Sequence, residues 1–375
     1  MTLTAIALSG GVDSLTAAYV LKQAGERLLG IHFLTGYETP PAPAPAAVRP
    51  SADSATQLTA QARRRLEPLA QALEIPLEIV DCRAAFGREV IDYFNTAYQA
   101  GRTPNPCVVC NPKIKFGFLL ELARQRGAQR LASGHYARTR QDAQGAVHLL
   151  KGSDGAKDQS YFLARLTPLQ LAAASFPLGG MTKAEVKQLA ARQGLHPVAR
   201  KESQDICFIR QRSYGEFLQD QLGLTPRPGP IVDLAGRRIG EHPGLHRFTI
   251  GQRRGINCPA AEPYYVVRLE PKENRLVVGV KTDLLREDCV LEEMNWIQPP
   301  AAPSFAAHIR IRYRQRAVPA QIFPQEKTEA RVVFRKPQAA VTPGQAGVLY
   351  QGDEVWGSGW IAGDTSADAP RPPSQ

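Results

Sequence analysis

The sequence predicts an α/β protein in three parts: an N-terminal domain on a parallel sheet, a small loop-rich central domain and a C-terminal antiparallel β-barrel. Three observations carry this. The chain opens strand, glycine turn, helix, strand, and helix and strand signals go on alternating to about residue 205, the pattern that builds parallel sheets. After Gly223 the chain breaks into short segments punctuated by proline and glycine, from Pro226 to Gly255. From about residue 263 strand-like alternation takes over, as in 264–269 and 331–334, which predicts an antiparallel sheet or small barrel.

Taken in order, Thr4-Ala5-Ile6-Ala7-Leu8 is an apolar strand, followed by a Ser-Gly-Gly turn and a helix whose Leu15, Ala18 and Leu21 form a buried stripe. Gly25 stands where a C-terminal cap belongs, and the second strand covers 28–34. Five prolines within residues 38–50 forbid helix or central strand and predict an exposed loop or lid. Helices are then expected at about 54–73, 84–99 and 113–126, with strands at 77–80 and 130–133. The domains are expected at 1–210, 211–275 and 276–364, with 365–375 a disordered tail.

Composition narrows the class. No apolar run approaches the ~18–20 residues that a spanning helix needs, so no membrane partner is expected. The start, Met1-Thr2-Leu3-Thr4, has no basic or cleavable leader. Six cysteines (82, 107, 110, 207, 258 and 289) spread through a chain without a leader point to reduced thiols in a cytoplasmic protein. The net charge of +11 favours a polyanionic partner.

Three motifs carry chemistry. Ser9-Gly10-Gly11-Val12-Asp13-Ser14 lies between a strand and a helix; the glycines let the backbone approach an anion, and the helix offers unpaired N–H groups and its positive dipole end. Neither Gly-x-x-x-x-Gly-Lys-Ser/Thr nor Gly-x-Gly-x-x-Gly occurs, so the commoner nucleotide loops are unsupported. Asn105-Pro106-Cys107-Val108-Val109-Cys110 is expected to be a rigid loop before a helix starting near Lys113. There the helix end, Lys113 and Lys115 would lower a thiol pKa. Cys207, in Lys201-Glu202-Ser203-Gln204-Asp205-Ile206-Cys207, supplies a third thiol in a polar stretch. A zinc site is the alternative for Cys107 and Cys110, although no second Cys-x-x-Cys appears.

These motifs resemble those of the tRNA-specific 2-thiouridylases, members of the PP-loop ATP pyrophosphatases. Further blocks of the resemblance are Ser133 to Tyr136, Lys157 to Leu163, Thr249 to Arg253, Arg312 to Gln315 and Pro343 to Gln345. The resemblance implies an adenine nucleotide alpha hydrolase-like N-terminal domain, ATP with Mg2+, and a tRNA whose wobble uridine becomes 2-thiouridine. By that likeness the backbone of Ala7, Leu8, Ser9, Gly10, Gly11, Val12, Asp13 and Ser14 wraps the nucleotide. Asp13 holds the magnesium-pyrophosphate, and Phe33 and Gly134 belong to the adenosine pocket. Asn105, Pro106 and Cys107 would face the target base, while His135, Lys157, Asp158, Gln159, Arg312, Tyr313 and Gln345 would touch tRNA. Alone, His135 reads as a structural histidine and Lys157-Asp158 as a solvated turn; their order among the blocks lifts them.

The resemblance further implies a persulfide on Cys207 loaded by an upstream donor, a cysteine desulfurase or sulfur-relay protein. Cys110 then attacks or receives the second sulfur, and a Cys110–Cys207 disulfide remains. Many family members carry Asp where this chain has Cys107, so a base assigned to that Asp does not transfer. Alternatively Cys107, Cys110 and Cys207 would ligate a [4Fe-4S] cluster that carries the sulfur. Two rivals are an amide-forming ligase, which needs no paired thiols, and a non-catalytic RNA-binding or iron-sulfur scaffold, which needs no nucleotide loop. Lastly, residues 301–340 hold eight Lys and Arg against two acidic residues, a net +6. If 308–316 is a strand, His308 and four arginines, Arg312 and Arg314 among them, line one face and hold the tRNA backbone.

Overall fold

A computed structural model describes residues 2–38, 52–198, 206–209, 213–223, 226–326 and 328–363. Most of the expected lid, the stretch 201–205 and the expected tail at 365–375 lie outside the described residues. The chain forms two compact units: Met1–Tyr93, Pro106–Ser213 and Gln351–Trp356 make the first, and Phe94–Asn105, Tyr214–Tyr350 and Gly357–Gln375 the second.

The first half runs β1 (Leu3–Ala7), α1 (Val12–Gln23), β2 (Arg27–Leu34), α2 (Ala52–Ala72), β3 (Leu77–Asp81), α3 (Arg83–Phe86), a π turn, α4 (Asp92–Gln99), α5 (Pro106–Cys110), a π-helix over Asn111–Leu119 and α6 (Leu120–Gln125). Then come β4 (Arg130–Ala132), β5 (Ala137–Gln141), β6 (Val147–Lys151), α7 (Ser160–Leu163), α8 (Pro168–Ala172), β7 (Ala174–Ser175) and α9 (Lys183–Arg192). In the first unit the sheet order is β3-β2-β1-β4-β7, every pairing parallel. Ile6, Leu8, Leu15, Ala18 and Leu21 pack with Ala132 and Leu178 in its core. Gly25 takes φ +80° and its N–H donates to Lys22 O at 2.9 Å, closing α1 as the sequence predicts. The chain steps outward from β1 through β2 to β3 and then resumes with β4 on the other side of β1. The strand order therefore reverses between β1 and β4, where parallel sheets open a ligand crevice at their carboxyl ends.

In the second unit, α10 (Tyr214–Leu222) precedes a four-stranded sheet ordered β10-β11-β8-β9, with β8 Gly229–Val232, β9 Arg238–His242, β10 Tyr265–Glu270 and β11 Arg275–Gly279. Ile231, Phe248, Val266, Leu276 and Val278 fill its core. The alternating segment at 264–269 thus belongs to this sheet and not to the barrel. The barrel strands are β12 (Leu285–Trp296), β13 (Phe305–Arg310), β14 (Val318–Gln325), β15 (Glu329–Ala339), β16 (Ala346–Gln351) and β17 (Glu354–Ile361). Their order is β12-β15-β14-β13-β16-β17, and β12 pairs back on β17, Leu291 against Ile361, so the ring closes. The start of β17 pairs Glu354 and Val355 with Leu150 and Leu149 of β6.

One strand ends early. The expected alternation over 308–316 stops at Arg310, where β13 gives way to a turn. Arg312, Arg314 and Arg316 therefore do not share a strand face with His308, although all three are exposed.

Candidate active site

The glycine loop leaves β1 at the strand-order reversal. Gly10 adopts φ +80°, and a Cβ there would come within 2.7 Å of Leu66, so the turn needs glycine. Ser14 Oγ donates to Gly11 O at 3.0 Å and lies 3.1 Å from Ser9 Oγ, which fixes the loop's shape. Beneath it the buried His32 bonds through Nδ1 to Leu8 O at 2.8 Å. Burial, then Arg65, lowers the His32 pKa. The neutral ring thus donates to the carbonyl and pins the first loop residue. No side chain caps α1, which leaves the N–H groups of its first turn open to an anion.

Asp13 is the charged centre of this loop. Lys183 Nζ reaches both carboxylate oxygens at 2.7 and 2.8 Å, and Tyr136 OH donates to Oδ1 at 2.7 Å. Lys183 is buried, 9% of its side chain exposed. Gly134 follows β4 so closely that an added Cβ would meet the Asp13 backbone at 2.8 Å. Phe33 stands half-buried near the carboxyl end of β2. In the sequence Lys183 lies in none of the motif blocks, and Tyr136 lies in one without a role of its own. The Thr182 to Glu185 capping box, present in the structure, was the one visible sign that Lys183 opens a helix. A carboxylate, an ammonium, serine hydroxyls and an uncapped helix end together fit a magnesium-bound pyrophosphate group.

The thiol site departs from expectation. Helix α5 starts at Pro106, not near Lys113, because proline suits the first helical position. Cys107 and Cys110 therefore stand one turn apart on a helix. Burial pushes the Cys110 thiol up to about 12 and raises Cys107, while Lys115 pulls both down. The expected lowering of the thiol pKa is overturned: desolvation outweighs the nearby cation. Cys207, Cys107 and Cys82 also push Cys110 up, so four thiols of the first unit lie within electrostatic reach. Cys207 is exposed, while its neighbour Phe208 packs at 5.8 Å from Tyr37 and 5.9 Å from Phe86. None of the six cysteines, all of them among the described residues, is in a disulfide. Among the described residues no three Cys, His, Asp or Glu side chains group to hold a metal. The [4Fe-4S] expectation for Cys107, Cys110 and Cys207 finds no support in their placement, since charge coupling reaches well beyond a thiolate–metal bond of ~2.3 Å.

Next to the thiols, Lys115 Nζ donates to His135 Nε2 at 3.3 Å and Ser133 Oγ lies 2.7 Å from Nδ1. Burial and then Lys115 hold the His135 pKa well below its usual value, so the proton sits on Nδ1 and points at Ser133. Asn111 Nδ2 donates to Phe162 O and Gln170 Nε2 to Pro112 O, anchoring the π-helix.

The expected tRNA contacts divide. Asp158 is buried and accepts from Gly152 and Ser160 N–H at 3.1 Å each. It shapes its loop and does not face solvent. Gln159 exchanges bonds with Tyr136, its Oε1 accepting from the Tyr136 N–H at 3.0 Å. Lys157 is half-buried in the same loop. In the second unit Gln345 Nε2 donates to Thr103 O at 3.0 Å, holding the approach to Asn105. Arg312 donates to Ala339 O at 2.8 Å, with Tyr313 half-buried and Arg314 exposed beside it.

Family models match three stretches: a tRNA methyl transferase HUP domain over residues 2–211, a tRNA methyl transferase PRC-barrel domain over 215–280 and an aminomethyltransferase beta-barrel domain over 286–361. Curated relatives align nearly end to end. A tRNA-specific 2-thiouridylase MnmA of Desulfosudis oleivorans is 49% identical over 96% of this chain and 94% of its own. The proteins of that name from Moorella thermoacetica and Geobacter metallireducens are 45% and 44% identical, each over 95% of this chain and 98% and 95% of their own. Among the described residues no helix is long and apolar enough to cross a membrane.

Proposed function

The chain belongs to the tRNA-specific 2-thiouridylases, and on that footing we propose that it replaces the O2 oxygen of the tRNA wobble uridine by sulfur at the cost of ATP. The carrying observation is that one unit holds both an anion loop with its Asp13–Lys183 pair and a group of thiols. An amide-forming ligase has no use for the second. A scaffold has no use for the first.

Uridine O2 is a poor leaving group, so the reaction begins by transferring AMP from ATP onto it with loss of pyrophosphate. Ser9 to Ser14 and the first turn of α1 hold the phosphates, and Asp13 is the ligand for Mg2+, which neutralises phosphate charge when bound. Phe33 and Gly134 border the adenosine. Lys183 and Tyr136 keep Asp13 aimed. Asn105, Pro106 and Cys107 face the base, and the tRNA is held by Lys157 and by Arg312, Tyr313 and Arg314.

Sulfur arrives as a persulfide on the exposed Cys207, loaded by a cysteine desulfurase or relay protein. Its terminal sulfur attacks C2 and AMP leaves. Cys110 then attacks the Cys207 sulfur, freeing 2-thiouridine and leaving a Cys110–Cys207 disulfide. The same reading divides the chain at 1–210, 211–275 and 276–364. The test is an ATP assay with and without tRNA: AMP and pyrophosphate should form only with tRNA, and Asp13→Ala should abolish both. ADP and phosphate as sole products would overturn the reading.

A further inference from the structure

The proposed cycle ends with Cys207, the thiol that meets the sulfur donor, locked to the half-buried Cys110. A third thiol stands beside that bond. Cys107 and Cys110 are three residues apart on α5, which carries both side chains on one face. Helix geometry sets their Cα atoms about 5 Å apart, inside the range of about 4.4–6.8 Å that a disulfide accepts. Both are half-buried, whereas Cys207 is exposed.

Resting on the sulfur-relay reading above, we propose that Cys107 is the resolving thiol of this enzyme: it attacks Cys110 Sγ in the Cys110–Cys207 disulfide, moves the bond to Cys107–Cys110 and releases Cys207 for reloading. One S–S bond forms and one breaks, with no net oxidation. Cys107 gives its proton to solvent, and Cys207 departs as a thiolate that takes one up. The Cys107–Cys110 pair returns to two thiols by exchange with an external dithiol, which supplies two electrons and two protons and is itself left as a disulfide.

Leaving-group chemistry favours this direction. Thiol–disulfide exchange expels the sulfur best able to carry negative charge, and solvent stabilises that charge on exposed Cys207 while burial opposes it on Cys110. Lys115, which acts on both helix thiols, supplies a cation where the attacking thiolate forms. Phe208 packs against Tyr37 and Phe86, which anchors the residue next to Cys207.

The experiment treats full-length protein with one equivalent of diamide, alkylates the remaining thiols and maps disulfides by peptide mass spectrometry. The tryptic peptide running from Thr103 to Lys113 holds both helix cysteines. In the wild type it should be lighter by two hydrogens, with Cys207 alkylated. In Cys107→Ser, and in Cys107→Ala as a second variant, that peptide should instead be cross-linked to the one carrying Cys207. A wild-type protein that keeps the Cys110–Cys207 cross-link with Cys107 alkylated overturns the exchange and leaves the relay standing. Absence of the cross-link from both variants, together with undiminished 2-thiouridine formation by Cys110→Ser, overturns the relay and the exchange together.

Discussion

A carboxylate that receives a metal-bound phosphate works best when it is aimed before the ligand arrives, since reorienting it during the reaction raises the barrier. Asp13 is aimed from two sides, by the Lys183 ammonium and the Tyr136 hydroxyl. Lys183→Ala should lower kcat/KM for ATP by about 10²-fold or more, read by pyrophosphate release, with circular dichroism checking the fold. A variant as active as wild type would show that Asp13 is aimed without Lys183. The thiols differ just as sharply. Cys110→Ser and Cys207→Ser should each eliminate 2-thiouridine in nucleoside analysis, whereas Cys258→Ser and Cys289→Ser should keep most of it. Cys289 lies in a barrel strand with its thiol pushed up to about 12 by burial, and Cys258 packs against the central sheet's core.

Two elements are held by devices that a single substitution can probe. In the π-helix that follows α5, a Cβ on Gly117 would fall 2.6 Å from Pro112 O. Gly117→Ala should therefore cost about 1–3 kcal/mol and lower the melting temperature, since backbone and not a flexible side-chain end blocks the space. In the β5–β6 hairpin His148 sits between Asp142, 3.0 Å from Nε2, and Glu354, 2.6 Å from Nδ1. The bonds to Asp142 and then Glu354 raise its pKa above 6.5. A raised folded-state pKa stabilises fully below the unfolded value and is lost as pH rises through the folded one. The melting-temperature gap between wild type and His148→Gln should accordingly be widest on the acid side of 6.5 and narrow as pH climbs above it. A gap that widens with pH would reverse the assignment.

At the scale of the whole molecule the question is where an RNA polyanion is held. The positive charge is unevenly spread, with a net +6 of the chain's +11 in residues 301–340. Arg331 is paired with Asp288 at 2.9 Å, while Arg314 stands exposed in the turn after β13. Reversing Arg312 and Arg314 to Glu should weaken tRNA binding strongly and reduce the salt slope by roughly one per arginine, with ATP binding unchanged. Filter binding across a salt series measures both, and unchanged affinity in a folded double variant would place the RNA surface elsewhere. Because Arg312 also holds Ala339 O, Arg314→Glu alone separates charge from support of the turn.

The strand, glycine loop and helix of residues 3–23 were legible in the sequence because each depends on its own neighbours: apolar period, positive φ at Gly10, a cap at Gly25. The order of the motif blocks likewise carried the family, since it is a property of the chain read end to end. What the sequence could not contain was distance through space. Lys183 meets Asp13 across 170 residues, and nothing near either position marks the other. Gln345 reaches Thr103 in the same way, across 242. The thiols show the same limit in energetic form: their spacing and nearby lysines were visible, yet whether the cations lower a thiol pKa or burial raises it depends on how much water the surrounding elements exclude. Only the packed chain decides that, because desolvation is a sum over neighbours that the fold brings together.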